Sequence, residues 1–397
     1  MIYFDSASTA FFLDEEMLNM LANYKYISPY RSSPNASFSS ELMIHETRRL
    51  IAEIINADSP SNVIFTSGAT QGMNLLLDSL IPKEATLITT YNEHNSVIRP
   101  LNRLARYKGC EIHIVSNKLD GEINLIELEA LLINTKPFAM VLNHVSNVTG
   151  IAQNISVITS LCHKYDTYVI LDAAQSVAFL DIDMKKDNID ALVFSGHKHL
   201  SGLMGIGVMI IGNNLALKPK EEVISGGTGH LSFDSKQPRE LPIFFEAGTP
   251  NIPGILSLNY AFHKLQKNLT INNGTYFTKR MSLLNYAKSF RDALNTINGY
   301  ETYPTKLDVC IEEEKILSAA IVPFNYTGIS SQELEQKLED RVDVVCRSGF
   351  HCAPYVHKFF QTDKRGMLRF SFSYQNTDEE LSTVLNALEA ISKEFRK

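Results

Sequence analysis

The sequence predicts an α/β fold built on a mostly parallel sheet. Helical and strand patterns alternate almost throughout, the order that a parallel sheet with crossover helices requires. Five of the strand patterns end in clusters of polar residues, which is where open parallel sheets carry their ligands. At 397 residues the chain is long enough for two or three domains with ample core.

The alternation starts at 42–55 (LMIHETRRLIAEII), where apolar residues recur at helical spacing. Residues 62–66 (NVIFT) form a short strand, the turn SGATQ (67–71) follows, and 72–80 resumes as helix. A strand at 87–90 ends in NEHNS (92–96), and a helix then runs to about Tyr107. Strand 111–115, helix 125–133 and strand 138–143 come next, the last ending at HVSN (144–147). Helix 155–165 precedes a strand at 168–171 that ends in DAAQ (172–175). The stretch 190–212 (DALVFSGHKHLSGLMGIGVMIIG) holds two apolar runs, 191–194 and 208–211, on either side of a polar, Gly-rich turn. A Gly/Pro-rich belt carries SGGTGH (225–230) and FEAGTPNIPG (245–254), and 255–266 and 276–297 beyond it read as helices. The tail has its own α/β order: strand 316–323, helix 331–339, strand 342–346, the loop RSGFHCAP (347–354), strand 368–372 and a long helix from Thr377. Ser330 or Ser331 with Glu333 or Glu335, and Asn376 or Thr377 with Glu379 or Glu380, resemble helix N-termini.

Composition narrows the function. Acidic residues outnumber basic ones, 44 to 37, for a formal net charge of −7, which argues against a nucleic-acid-binding surface and fits an enzyme acting on a small molecule. No apolar run approaches the length that spans a bilayer. The N-terminal MIYFDSASTA has neither a basic nor a long apolar stretch, so no secretory signal is expected. Five scattered cysteines, none in a CxxC pair, point to free thiols in a reducing cytoplasm and not to a disulfide frame or a metal site.

The polar strand ends suggest a chemistry. Lys198 ends an apolar strand beside Ser195 and His197, and burial lowers a lysine's pKa, which makes it a usable nucleophile and base. The SGAT turn before a helix offers backbone N–H groups and small hydroxyls that suit a phosphate. Asp172 at a strand end can keep a pyridine nitrogen protonated, and His94 can stack on a ring. Each feature alone also reads as an ordinary cap, turn or loop residue. Their conjunction at successive strand ends is the arrangement that pyridoxal phosphate (PLP) requires. Cys352 follows His351 and lies five residues after Arg347, in a turn flanked by Gly349 and Pro354, a setting in which a nucleophilic thiol is one reading and a buried inert cysteine the other.

With those residues in view, the chain resembles class V aminotransferase-fold PLP enzymes, and among them the cysteine desulfurases, including the selenocysteine lyase-like group. The matching pieces are FTSGATQGMN (65–74), NEHNSVIRPL (92–101), HVSNVTG (144–150), LDAAQS (171–176), FSGHK (194–198), GGTG (226–229), FEAGTPN (245–251), RSGFHCAP (347–354) and RFSFSYQNT (369–377). They fall in the family's order and cover nearly the whole chain. The resemblance implies the type I PLP-dependent transferase fold. A large domain over 15–255 would carry the mostly parallel sheet flanked by helices, and a smaller α/β C-terminal domain would span 256–397, with residues 1–14 packed against it.

It also implies roles. Lys198 would bind the cofactor covalently, Asp172 would pair with its pyridinium, Gln175 would approach the ring hydroxyl and His94 would stack over the ring. Ala69, Thr70, Ser195 and His197 would line the phosphate, where the family often has a second threonine in place of Ala69. Gly248 and Thr249 would reach the phosphate of a neighbouring subunit. Asn147, Arg347 and Arg369 would surround the substrate, with the Arg369 fork suited to its carboxylate, and Cys352 would form a persulfide. The implied activity is conversion of L-cysteine to L-alanine by a cytoplasmic homodimer, with sulfur passed to an acceptor such as a carrier protein. Selenocysteine lyase, another β-eliminating lyase and a class V aminotransferase are the alternatives on the same cofactor. The chain departs from the family at SSPNASFSS (32–40), where a histidine is usual. It departs again after Lys198, where Leu203 or Met204 stands for a common proline. Cys346, at a strand end near the same loop, is a second thiol to watch.

Overall fold

A computed structural model describes residues 1–11, 13–29, 34–218, 220–229, 231–271 and 275–395. The SSPNASFSS departure falls mostly outside what is described: residues 32 and 33 are not covered, nor are the side chains of 34–39. His230, the last residue of SGGTGH, is also outside it.

Twelve strands occur among the described residues: β1 (Ile2–Tyr3), β2 (Val63–Thr66), β3 (Thr86–Thr90), β4 (Glu111–Val115), β5 (Ala139–Asn143), β6 (Tyr168–Asp172), β7 (Ala191–Ser195), β8 (Gly207–Ile211), β9 (Tyr300–Thr302), β10 (Ile321–Tyr326), β11 (Val344–Val345) and β12 (Leu368–Ser371). Seven of them form the main sheet in the order β2-β8-β7-β6-β5-β3-β4. Its pairs are parallel from β4 through β7, and only β8 runs antiparallel to its neighbours β7 and β2. The mostly parallel α/β architecture is therefore as the sequence predicts. β5, β7 and β8 read as unbroken apolar runs because helices cover both faces of the sheet. The parallel strands all point the same way, so their C-terminal ends deliver Glu93, Asn147, Asp172 and Lys198 to one edge.

β8 can lie beside the SGAT turn because Gly207 has no side chain. A Cβ there would come 2.5 Å from Gly68 Cα and 2.7 Å from the Phe194 carbonyl oxygen. A second apolar cluster unites the helix Thr275–Asn295, β10, β12 and the helix Asp378–Glu394 with Phe4 and Ala7 from the N-terminal segment. β1 pairs in parallel with β11, which ties the first residues to the last third of the chain. Thr377 and Glu380 form the expected capping box, and Ser330 caps the helix Ser331–Glu339 by accepting from Glu333 N–H. The helix Ile252–Ile271 is longer than the pattern 255–266 and runs through the 255/256 division. Its buried residues as far as Leu265 pack with the main-sheet cluster, so a cut there would sever a helix from its own core. Among the described residues no helix is long and apolar enough to cross a membrane.

Candidate active site

Lys198 leaves the end of β7 in a closed loop. Gly196 N–H donates to the Ile206 carbonyl (3.0 Å), Gly202 N–H to the Gly196 carbonyl (2.8 Å) and Ser201 N–H to the Lys198 carbonyl (2.8 Å). Burial lowers the pKa of the Lys198 amine. The negative Asp172 opposes that shift, while Arg369 and Arg347 add to it. The expected lysine with weakened affinity for its proton is therefore present, and it faces one acid and two arginines.

Asp172 is buried at the end of β6, with Oδ1 accepting from Ala174 N–H (3.0 Å) and Oδ2 from the Ser96 hydroxyl (3.1 Å). Ser96 belongs to the first turn of the helix Asn95–Lys108, whose N-cap is His94. His94 Nδ1 lies 3.0 Å from Ser96 N and 2.9 Å from Ser96 Oγ, so both the backbone and the hydroxyl of Ser96 hold the ring. Burial pushes the His94 pKa down to about 4 against the pull of Asp172, with Lys198, Arg347 and Arg369 lowering it further, so the ring is neutral at ordinary pH. Ser96 thus links the predicted stacking histidine to the predicted pyridinium partner.

The helix Ala69–Leu80 begins beside the same loop. Ala69 N–H donates to Ser195 Oγ (3.0 Å), and Thr70 is exposed on the first turn. The first N–H groups of a helix have no partner within it and form a natural anion site. His197 has one ring nitrogen 3.1 Å from Thr9 Oγ1, and its carbonyl accepts from Ala10 N–H (2.8 Å). Gln175 donates to the Ala7 carbonyl (2.7 Å), while its Oε1 is buried with no partner among the described residues. Gly248 and Thr249 are exposed on a separate loop, tethered by Gly248 N–H to the Gly227 carbonyl (2.7 Å) and, through Glu246, to Phe65 N–H and Arg48.

The substrate side is assembled by residues distant in sequence. Arg369 is 1% exposed; Nη1 donates to the Asn147 carbonyl (2.8 Å), and Nη2 donates to Asp5 Oδ1 (2.5 Å) and Ser8 Oγ (3.0 Å). The fork expected to be open for a carboxylate is thus already engaged with the N-terminal segment. Arg347 Nη1 donates to the same Ser8 hydroxyl (2.9 Å). Asp5 and Ser8 were not candidates from sequence, since nothing local signals a contact across more than 330 residues.

The loop carrying Cys352 is held in a strained shape. His351 (φ +47°) and Cys352 (φ +55°) are both left-handed, at a cost of roughly 1–2 kcal/mol for each non-glycine residue. Three hydrogen bonds fix it: Asn95 N–H to the Cys352 carbonyl (2.7 Å), Asn147 Nδ2 to the His351 carbonyl (2.8 Å) and His351 Nε2 to the Met367 carbonyl (3.0 Å). The result is an exposed Cys352 one hydrogen bond away from the backbone next to His94. Cys346 is different. It is buried, and burial together with Glu335, Glu339 and Asp5 pushes its thiol pKa far up, so it has no thiolate to offer. Cys110, Cys162 and Cys310 are buried as well.

Pyridoxal phosphate fits the residues present. The helix N-terminus with Ser195 and Thr70 suits the phosphate, Asp172 suits the pyridinium and Lys198 supplies the amine. The buried Gln175 Oε1 and Asn147 Oδ1, both without partners among the described residues, are polar atoms that a polar ligand would satisfy.

Comparison with known proteins identifies the family and the fold. Residues 2–384 match the family model described as aminotransferase class-V. A probable cysteine desulfurase of Borreliella burgdorferi is 31% identical over 99% of this chain and 92% of its own length. One from Pyrococcus abyssi is 30% identical, over 100% of this chain and 95% of its own. The solved apo structure of a cysteine desulfurase from Thermococcus onnurineus superposes with a TM-score of 0.85 at 26% identity, covering 99% of this chain and 95% of that one. On the family match, the sheet and the order of its strand-end residues, the chain belongs to the class V aminotransferase family.

Proposed function

We propose that this chain is a PLP-dependent cysteine desulfurase that converts L-cysteine to L-alanine and carries the sulfur as a persulfide on Cys352. One observation supports this above the others. The exposed Cys352 is hydrogen-bonded through its own carbonyl to the turn that carries His94, in a constellation that also holds Lys198 and Asp172. The names of the relatives agree with it.

When bound, the cofactor supplies an electron sink for the substrate's α-carbon. The remaining work falls to the chain. Asp172, held by Ser96 and Ala174 N–H, would place its carboxylate against the pyridinium. Neutral His94 would cover the ring. Lys198, with its pKa lowered, takes the Cα proton and returns one. Asn147, Arg347 and Arg369 bind the amino acid. The Cys352 thiolate attacks the substrate sulfur. An S–S bond forms, the C–S bond breaks with its electron pair left on the carbon skeleton, and L-alanine departs. An acceptor thiol, supplied by a sulfur-carrier protein, then takes the outer sulfur.

The working unit on this reading is a cytoplasmic homodimer. Gly248 and Thr249 sit exposed on a loop where they can reach a second subunit, and Val223, Leu231 and Phe233 leave apolar side chains in solvent on the neighbouring stretch. The two domains divide between the helices Ile252–Ile271 and Thr275–Asn295.

The test is purified protein with L-cysteine and a thiol reductant. Sulfide and alanine should appear in equal amounts. Lys198→Ala should abolish both and should leave no cofactor fixed to the chain by borohydride. A keto acid in place of alanine would make the protein an aminotransferase, and borohydride fixation in Lys198→Ala would displace the lysine from its role.

A further inference from the structure

Arg347 and Arg369 face each other across an antiparallel bridge, with Arg369 N–H donating to the Arg347 carbonyl (2.8 Å). Residues directly opposite in such a pair send their side chains to the same face, and like charges there are destabilising. One of the two is almost wholly buried, and each guanidinium makes it harder for its neighbours to hold a charge. Burial is the main cause of the lowered pKa of Arg369, and Arg347 adds to it; burial likewise lowers Lys198 and His94, and both arginines add to that. A fold keeps such a pair only where something holds it together.

The N-terminal segment supplies that hold. A parallel bridge between Asp5 and Ser371 and the bond from Ala7 N–H to Ser371 Oγ (2.9 Å) lay residues 5–8 alongside β12. Ser8 Oγ then accepts from both arginines, at 2.9 and 3.0 Å, and donates its proton to Asp5 Oδ1 (2.8 Å). Asp5 supplies one negative charge against two positive ones. The cluster therefore keeps one surplus positive charge, matched to one carboxylate. Both Nη2 protons of Arg369 are engaged with Asp5 and Ser8, and Arg369 Nε has no partner among the described residues.

We infer that Ser8, tied to Asp5, is the positioning residue of the substrate-carboxylate pocket: its hydroxyl sets the spacing at which Arg347 and Arg369 jointly receive the carboxylate of the amino acid. This rests on the proposed function for the identity of the substrate, and it applies to any α-amino acid that enters the site. Without the hydroxyl the two guanidinium groups lose their common acceptor and separate, so the contact to a carboxylate weakens while contacts elsewhere on the amino acid remain.

The experiment measures binding of L-alanine and of L-alanine methyl ester to the PLP-loaded protein by the absorbance change of the cofactor, which needs no sulfur chemistry. The ester keeps the amine and side chain and lacks the negative charge. Ser8→Ala should weaken L-alanine binding about tenfold, the scale of one hydrogen bond to a charged group, and should leave the ester within twofold of the original protein. Ser8→Thr, which keeps the hydroxyl, should restore L-alanine binding. Equal weakening of both ligands would reduce Ser8 to a structural part of the fold, and no weakening of either would remove it from the pocket. If the original protein releases no sulfide from cysteine but the binding pattern holds, the pocket stands and the desulfurase reading falls.

Discussion

Glu93 is the buried carboxyl whose chemistry the sequence hides. Its position in NEHNS marks it as one polar residue among several, and nothing local says that it turns inward while its neighbour His94 caps a helix. It is wholly buried, with Oε1 accepting from the Thr90 hydroxyl (2.6 Å) and from Asn143 N–H (3.0 Å) and Oε2 without a partner among the described residues. Burial pushes its pKa up to about 8, the two hydrogen bonds restrain the rise and the negative Asp172 adds to it. The carboxyl is therefore protonated in the folded protein at neutral pH. The folded chain binds one more proton than the unfolded chain between about 4.5 and about 8, so this group's stabilisation is complete below that window and is lost as pH rises through 8. Glu93→Gln is neutral at every pH and keeps the oxygen that both donors use. Its Tm relative to the original protein should climb between about pH 5 and pH 8 and level off above that. A difference that does not change with pH would show that Glu93 does not titrate in that range. Arg369 shows the opposite balance of legibility. Its motif RFSFSY marks it as a substrate-side arginine, but its actual partners, Asp5 and Ser8, lie at the other end of the chain.

At the scale of elements, legibility followed length and apolar content. The strands β2, β3 and β5 to β8 each carry an apolar run, and the predicted bounds differ from the observed ones by a residue or so because burial on both faces leaves little room for polar residues. The edge strand β4, exposed at Glu111 and half-buried along most of its length, is legible from its alternating EIHIV pattern. β10 is the exception. It lies at Ile321–Tyr326, several residues after the predicted start at 316, because Ser318 and Ala319 are used in bonds to the Gly150 carbonyl instead of in the sheet. β1 and β9 are two and three residues long and exist only through their partners, so no local pattern could announce them. The helix Glu15–Asn23 did have a signal: Asp14 as N-cap, acids in the first turn, and Met17 and Leu21 buried at helical spacing. The Cys352 loop was legible as a motif and not as a shape. Its two left-handed residues are neither glycine nor asparagine, and they are held by Asn95, the first residue of a helix, and by Asn147 from a loop, both far away in sequence.

Taken as a whole, the molecule buries histidines without protonating them. His94, His144, His199 and His357 have pKa values pushed down to about 4 by burial, and that of His351 lies well below its ordinary 6.5. Between about 6.5 and about 4 the unfolded chain takes up protons that the folded chain refuses, so stability falls as pH falls through that window. His197 is lowered by burial as well, while Glu93, Glu335 and His163, all raised, work in the other direction, three groups against six. Tm should be nearly level from pH 7.5 to 6.5 and should drop steeply toward pH 4.5; a Tm that holds or rises on acidification would mean that these rings accept protons in the fold. The proposed chemistry of the molecule rests on one division of labour, with Lys198 and its neighbours preparing the amino acid and Cys352 taking the sulfur. The direct measurement is the intact mass of the protein after L-cysteine, alongside sulfide and alanine release, in the original protein and in Cys352→Ala. One added sulfur, mapped to Cys352 by peptide mass, should appear in the original protein. The variant should bind PLP and change its absorbance with cysteine, yet gain no sulfur and release almost no sulfide. Full sulfide release by Cys352→Ala, or an added sulfur on the buried Cys346, would contradict it.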